Sequence, residues 1–338
     1  MNIKEIARAA GVSVATISRV LNHPEQVLPE TREHVLAVMK EHHYTPNWFA
    51  RGLNLGRTNT IALLVPNLEL NRFQQLICGV ETVARSKQYA VILCHTENDP
   101  AQELAYLEMV RTRHIDGVIF APSSLSRQQR EPLLSDGVPC VHVGRGAESG
   151  FDAMCYIDQE ESAFRLTQHL LSLGHESIGL LLDDRLRLEA AQVEAGCRRA
   201  LAGTQARLML WSCRSTIPDG FNAGYRILRA GGKPPRALIT FSDRQAFGVL
   251  RAAERLDVAV PEELALATLA DSPLCPIVSP AVTGMEQPTA RLGMLAARML
   301  FDRIESGAPA AAQEIVLQPK LKIRRSCGNR KHIYELFD

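Results

Sequence analysis

Hydrophobic residues follow two rhythms along this chain, and the change comes near residue 60. Before it, apolar positions repeat at helical spacing. Ile3, Ile6, Ala7 and Ala10 stand at i, i+3, i+4 and i+7, which predicts a first helix with one buried stripe. Gly11 follows as its stop. Ser13 is placed to cap a second helix through its hydroxyl, with Ile17, Val20 and Leu21 as the buried stripe. Pro29 opens a third helix lined by Val35, Leu36 and Met39, and Tyr44-Thr45-Pro46 ends it. Two helices joined by a short glycine-containing turn form a helix-turn-helix arrangement. On spacing alone, the segment is equally a generic helical cap domain.

From Thr60 short apolar runs alternate with amphipathic stretches. The runs are 61–65, 90–94, 117–120 and 139–143, with helices expected around 73–87 and 100–113. A second series has runs at 178–182, 207–210, 237–240 and 265–268, with helices around 188–202, 220–230 and 243–256. Strands alternating with helices mean βαβ units and a parallel sheet. Two series of similar length predict an α/β protein of two lobes, with a ligand at their interface and at the strand C-termini. The connection around residues 46–60 is the linker.

Composition narrows the function classes. The 338 residues carry 38 Lys and Arg against 37 Asp and Glu, a net charge of +1. Residues 1–57 hold seven of those cations and five Glu, so the small excess sits on the helical segment. No apolar run approaches the ~18 residues of a membrane helix. Met1-Asn2-Ile3-Lys4-Glu5 is mixed in charge and unlike a signal peptide, which predicts a cytoplasmic protein with no membrane partner. The eight Cys are scattered without a C-x-x-C pair and read as reduced, small hydrophobes. There is no phosphate loop, nucleophile elbow or zinc helix. Gly144, Gly146 and Gly150 have the wrong spacing for a dinucleotide fingerprint. Adjacent His42 and His43 point to different faces of a helix end and read as solvated residues. No catalytic residue, metal ligand or cofactor is expected.

Specific stretches then carry a resemblance. IKEIARAAGVSVATISRVLN (3–22), ETREHVLAVMKEHHYTPN (30–47) and ARGL (50–53) look like the DNA-binding headpiece of the LacI/GalR family of bacterial regulators. The likeness continues through GRTNTIALLVPN (56–67), HIDGVIFAPSSL (114–125), HLLSLGHESIG (169–179), PPRALITFSDRQAFGVLRA (234–252) and EIVLQPKLKIRRSC (314–327). It implies a helix-turn-helix DNA-binding domain at 1–46, a hinge helix and linker at 47–59 and an effector-binding domain at 60–338. That domain would be periplasmic-binding-protein-like, with parallel sheets in two lobes. The N-lobe would take 60–160 and 288–322, and the C-lobe 161–287 and 323–338.

The resemblance also assigns residues. The second helix would lie in the major groove, with Val14, Ala15 and Arg19 reaching base edges. A guanidinium can bond guanine O6 and N7 together, whereas Val14 and Ala15 offer apolar contact only. Thr16, Ser18 and Asn22 would contact phosphates, or Thr16 and Ser18 would serve as ordinary capping and exposed residues. Leu53 would wedge into the minor groove from the hinge, and Gly52 would weaken that hinge off DNA. Effector contacts would be Arg72, Phe73, Ser123, Arg145, Val193, Phe221, Asp243 and Asp271. Phe73 is either a stacking ring or helix core, and Arg145 either pairs an anion or bridges the lobes.

Departures from the family pattern matter. Val193 stands where the family often has a ligand-holding Arg. The run at 268–271 is Thr-Leu-Ala-Asp, that at 70–73 is Leu-Asn-Arg-Phe, and Ser242-Asp243 replaces an Asn-Asp pair. Arg72, Arg145 and Arg185 would make the pocket cationic and favour an acidic ligand such as a sugar acid or sugar phosphate. The family mechanism further implies a homodimer on a palindromic double-stranded operator. The tail after Cys327 is too short for a tetramerising heptad helix. The expected function is a ligand-controlled repressor of a carbohydrate-utilisation operon, its effector a sugar, sugar acid or sugar phosphate. The alternative is a cytoplasmic sugar-binding protein or α/β enzyme with an accessory helical domain.

Overall fold

Three short helices open the chain, each with the terminal chemistry that helices need. The computed structural model describes residues 2–22, 24–44, 57–122, 125–126, 128–129, 137–145, 153–230, 233–306 and 312–329. The expected hinge with Gly52 and Leu53, and Ser123, lie outside these residues. Helix α1 (Ile3–Ala9) starts on an Asn2–Glu5 capping box, which satisfies N–H groups that have no partner within the helix. Gly11 follows at φ +64, a left-handed conformation that costs glycine little. Helix α2 (Val14–Asn22) starts on Ser13, whose hydroxyl accepts from the Thr16 N–H at 3.0 Å. Helix α3 (Pro29–Glu41) has Pro29 in its first turn.

Ile6, Ile17 and Val35 are fully buried, with Ala7, Ala10, Val20, Val38 and Met39 around them. Burying each such side chain contributes roughly 1.5–3 kcal/mol before entropy. Leu36 does not join this core and is 43% exposed. Val38 takes the place expected for it, because Val35, Val38 and Met39 form the i, i+3, i+4 stripe and Leu36 lies a quarter-turn away.

Contacts divide the chain into two compact units, Met1–Thr60 with His114–Asp116, and Ile61–Arg113 with Gly117–Asp338. The second unit holds two six-stranded sheets. One comprises β1 (Thr60–Val65), β2 (Ala90–His95), β3 (Gly117–Phe120), β4 (Cys140–Val143), β5 (Ala153–Ile157) and β11 (Gln313–Leu317), in the order β11-β5-β4-β3-β1-β2. The other comprises β6 (Ser177–Asp183), β7 (Arg207–Cys213), β8 (Ala237–Thr240), β9 (Ala265–Thr268), β10 (Thr283–Glu286) and β12 (Lys320–Lys322), in the order β12-β10-β9-β8-β6-β7. Pairing is parallel at β1–β3, β3–β4, β4–β5 and β5–β11, and at β6–β7, β6–β8, β8–β9 and β9–β10. Only short β12 runs antiparallel to its neighbour β10 among these pairs.

Connecting helices are α4 (Asn71–Ser86), α5 (Pro100–Thr112), α6 (Gln159–Ser172), α7 (Arg187–Leu201), α8 (Ile217–Arg229), α9 (Asp243–Arg255) and α10 (Thr289–Ser306). The chain passes between lobes near Asp158, near Gln287 and after Leu317. The last crossing comes earlier than the expected 322/323 boundary, because Lys320–Lys322 pairs with β10 of the C-lobe. Helix pairs pack backbone to backbone at glycine. A Cβ on Gly79 would stand 2.1 Å from the Ala290 carbonyl oxygen, and one on Gly196 would stand 2.1 Å from that of Glu160. All eight cysteines are free thiols, six of them buried.

Candidate functional site

Two features of the fold carry chemistry, one in each unit. In the headpiece, α2 buries Ile17 and Val20 and turns Val14, Ala15 and Arg19 outward. Val14 is 40% exposed. The Thr16 hydroxyl lies 2.9 Å from Ser13 Oγ, the atom that caps the helix. Ser18 is partly buried. The result is a helix with one core face and one outward face bearing two apolar groups and a guanidinium.

In the second unit a cleft opens between the two sheets, at the C-terminal ends of their strands. It contains two adjoining compartments with empty volumes of about 490 and 480 Å³. Arg72, Gln159, Gln287 and Thr289 line both. Arg72, in the first turn of α4, crosses the cleft to Glu189 of α7 with Nη1 2.6 Å from the carboxylate. Its guanidinium lies 4.7 Å from the centroid of Phe73 and 5.4 Å from that of Phe241. Nε and Nη2 are buried and have no acceptor among the described residues. These two N–H groups point the same way along one edge of the guanidinium, the fork that engages paired oxygen acceptors.

Asp243 lies across one compartment, 6% exposed, in the first turn of α9. Ser242 caps this helix in a box with Gln245, and the helix N-terminus favours the neighbouring carboxylate. The Gln287 amide is held by Gln159 Oε1 at 3.2 Å and by the Leu269 carbonyl at 2.8 Å. Arg145 is exposed at the end of β4, 6.0 Å from the Tyr156 ring, and its carbonyl accepts from Gln192 of the C-lobe at 2.9 Å. Tyr156 donates to Glu314 at 2.7 Å, and burial with that contact pushes its hydroxyl up to about 12.

The residues expected to meet a ligand divide into groups. Arg72, Phe73, Arg145, Asp243 and Asp271 all line the two compartments. Phe73 is 5% exposed, so its ring is largely core with one side on the compartment wall. Both Asp271 oxygens are taken by Arg324, at 2.7 and 2.9 Å, with both side chains at most 10% exposed. Val193 is fully buried in the apolar core and Phe221 stacks on Tyr225, and neither lines the compartments. Their α7 and α8 positions face the helix packing rather than the cleft.

The expected cationic pocket is also corrected. The lining holds Arg72 and Arg145 against Glu189, Asp243 and Asp271, and Arg324 balances Asp271 from behind. Arg185 lines other cavities. Glu189, Gln159, Phe241, Gln287 and Thr289 were not foreseen. No local pattern marks them, since each acquires its role from a partner far away in sequence.

Residues 2–47 match the family model of bacterial regulatory proteins, lacI family, and residues 167–327 match that of the periplasmic binding protein-like domain. The NTD biosynthesis operon regulator NtdR of Bacillus subtilis is 32% identical over 327 residues, covering 96% of this chain and 99% of the relative. Among solved structures, the transcriptional regulator CelR–cellobiose complex aligns with a TM-score of 0.71 at 26% identity, over 96% of this chain and 99% of that one. The lac repressor dimer bound to operator and the anti-inducer ONPF aligns with a TM-score of 0.85 at 22% identity, over 97% and 99%. With its helix-turn-helix headpiece and two-lobed periplasmic-binding-protein-like domain, the chain belongs to the LacI family of bacterial regulatory proteins and is a DNA-binding transcriptional regulator.

Proposed function

We propose that this regulator is a repressor of carbohydrate-utilisation genes and that its DNA affinity is set by a neutral, polyhydroxylated ligand in the cleft. The observation that carries the ligand class is the pairing of an unfilled donor edge with an unfilled acceptor. Arg72 offers two buried N–H groups without an acceptor, and Asp243 offers a buried carboxylate with no donor seen among the described residues. Each sugar hydroxyl both donates and accepts, so one ligand satisfies both ends. The carboxylate or phosphate of a sugar acid or sugar phosphate only accepts, and it meets Glu189 and Asp243 as like charges. Leaving such buried groups unmet costs free energy, so ligand occupancy favours the lobe arrangement that satisfies them. The chain binds this ligand without transforming it, in keeping with relatives that are regulators.

Calorimetric titration of the full chain with neutral sugars, sugar acids and sugar phosphates tests this reading. Neutral sugars should bind, and Asp243→Asn should weaken them about tenfold or more. Binding confined to acids or phosphates overturns it.

On the DNA side, Arg19 reads a guanine edge while Val14 and Ala15 pack on base methyl groups. Thr16, Ser18 and Asn22 meet phosphates, and Leu53 of the hinge enters the minor groove. A homodimer on a palindromic operator fits the exposed apolar groups of the second unit. Leu93 and Leu210 are 42% and 39% exposed on β2 and β7, the edge strands of the two sheets, and Leu274 and Ile277 are exposed as well. Apolar edge strands are covered in stable proteins, and a second copy covers them here.

A further inference from the structure

The inner compartments lead into a larger space. Through Pro122, Gly144, Arg145 and Glu189 the second compartment adjoins a third cavity with an empty volume of about 1100 Å³. Gly144 keeps that junction narrow in substance and open in space. Its φ is +139, and a Cβ there would stand 3.2 Å from Pro122 Cβ and 3.3 Å from His142 Cε1. Both lobes furnish the third cavity. The N-lobe supplies Glu97 and Asn98, two consecutive residues in the left-handed region at φ +53 and +58. They form a tight turn closed by the Asp99 N–H on the Thr96 carbonyl at 2.8 Å, which sets both residues on the cavity rim. The C-lobe supplies Arg185, buried Leu186 and Leu188, the last 54% exposed. An apolar floor ringed by an amide, three carboxylates and three guanidiniums that balance them suits the C–H face and hydroxyls of a sugar-like unit.

We propose that the effector has at least two linked units, one ring in the inner cleft and the next in this outer cavity, so that it is a glycoside or oligosaccharide rather than a free monosaccharide. The inference rests on the carbohydrate reading of the inner cleft. It is tested by titrating the full chain with glucose, maltose, maltotriose, cellobiose and trehalose, and with galactose, lactose and melibiose. At least one two-unit sugar should bind about tenfold or more tightly than its own monosaccharide. Leu188→Trp, which fills the outer cavity from an exposed position, should abolish that advantage and leave monosaccharide affinity unchanged. A monosaccharide that binds as tightly as all its glycosides, or an advantage that survives Leu188→Trp, overturns the inference and leaves the inner reading standing. Binding of none of these sugars overturns the carbohydrate reading and this inference together.

Discussion

Two aspartates of the cleft look alike in sequence and differ in physical role. Asp243 has its carboxylate toward the compartment, whereas Asp271 is clasped at both oxygens by Arg324, which also donates to the Val282 carbonyl. Asp243→Asn should therefore lower ligand affinity and leave the unfolding midpoint nearly unchanged. Asp271→Ala strands a buried guanidinium and should cost about 3–5 kcal/mol of stability, read by urea denaturation. A pair of histidines adds a pH dependence. His169 Nε2 lies 3.3 Å from Cys327 Sγ, and His175 Nε2 lies 3.4 Å from the Cys327 carbonyl. Burial holds both rings below their ordinary 6.5, with repulsion from His175 adding to the effect on His169. The unfolded chain then binds more protons than the folded one once pH falls below about 6.5. Stability should be full above that value and should drop steadily as pH falls toward the folded-state pKa values. Thermal unfolding between pH 8 and 5 checks this, and His169→Gln should flatten the curve.

Elements show what a single sequence discloses. Runs such as 61–65, 117–120, 178–182 and 237–240 became central strands because a continuous apolar segment of that length is buried on both faces. The three headpiece helices were legible from stripe and cap alone. β5, β10, β11 and β12 were not. β11 opens on Gln313-Glu314, both exposed at a sheet edge, and its pairing with β5 comes from across the chain. Helices α6 and α10 were likewise missed, although each packs closely on a helix of its own lobe, α6 against Gly196 and α10 against Gly79. Cleft chemistry was half legible. Arg72 and Asp243 were identifiable by type and place, but Glu189 became Arg72's partner only through the meeting of two lobes. The helix contacts also give a test. Gly196→Val would thrust its side chain into the Glu160 carbonyl region and should cost about 3 kcal/mol or more, read as a lowered denaturation midpoint. Gly203→Ala, with no atom within 4 Å of the added Cβ, should pay only the smaller cost of its left-handed φ of +78.

At the scale of the whole molecule, the near-neutral charge conceals a division of labour. The modest cationic excess belongs to the segment with the outward α2 face, while the remaining chain is a large sensor that is close to neutral. Operator affinity should consequently fall steeply as salt rises, since phosphate contacts release counterions. Arg19→Ala should lose about 1–3 kcal/mol of discrimination at one base pair while retaining nonspecific binding. Coupling is the larger claim. A ligand changes DNA affinity only to the extent that it binds the two lobe arrangements differently, and the Arg72–Glu189 bridge spans the cleft in which the proposed ligand would sit. The most direct test is fluorescence anisotropy of the full chain on labelled DNA from upstream of its neighbouring genes, with and without the neutral sugar that calorimetry identifies. The account predicts that the sugar shifts DNA affinity about tenfold or more, and that Asp243→Asn removes the shift while binding DNA as the unaltered chain does. DNA affinity that is indifferent to a sugar bound in the cleft would contradict it.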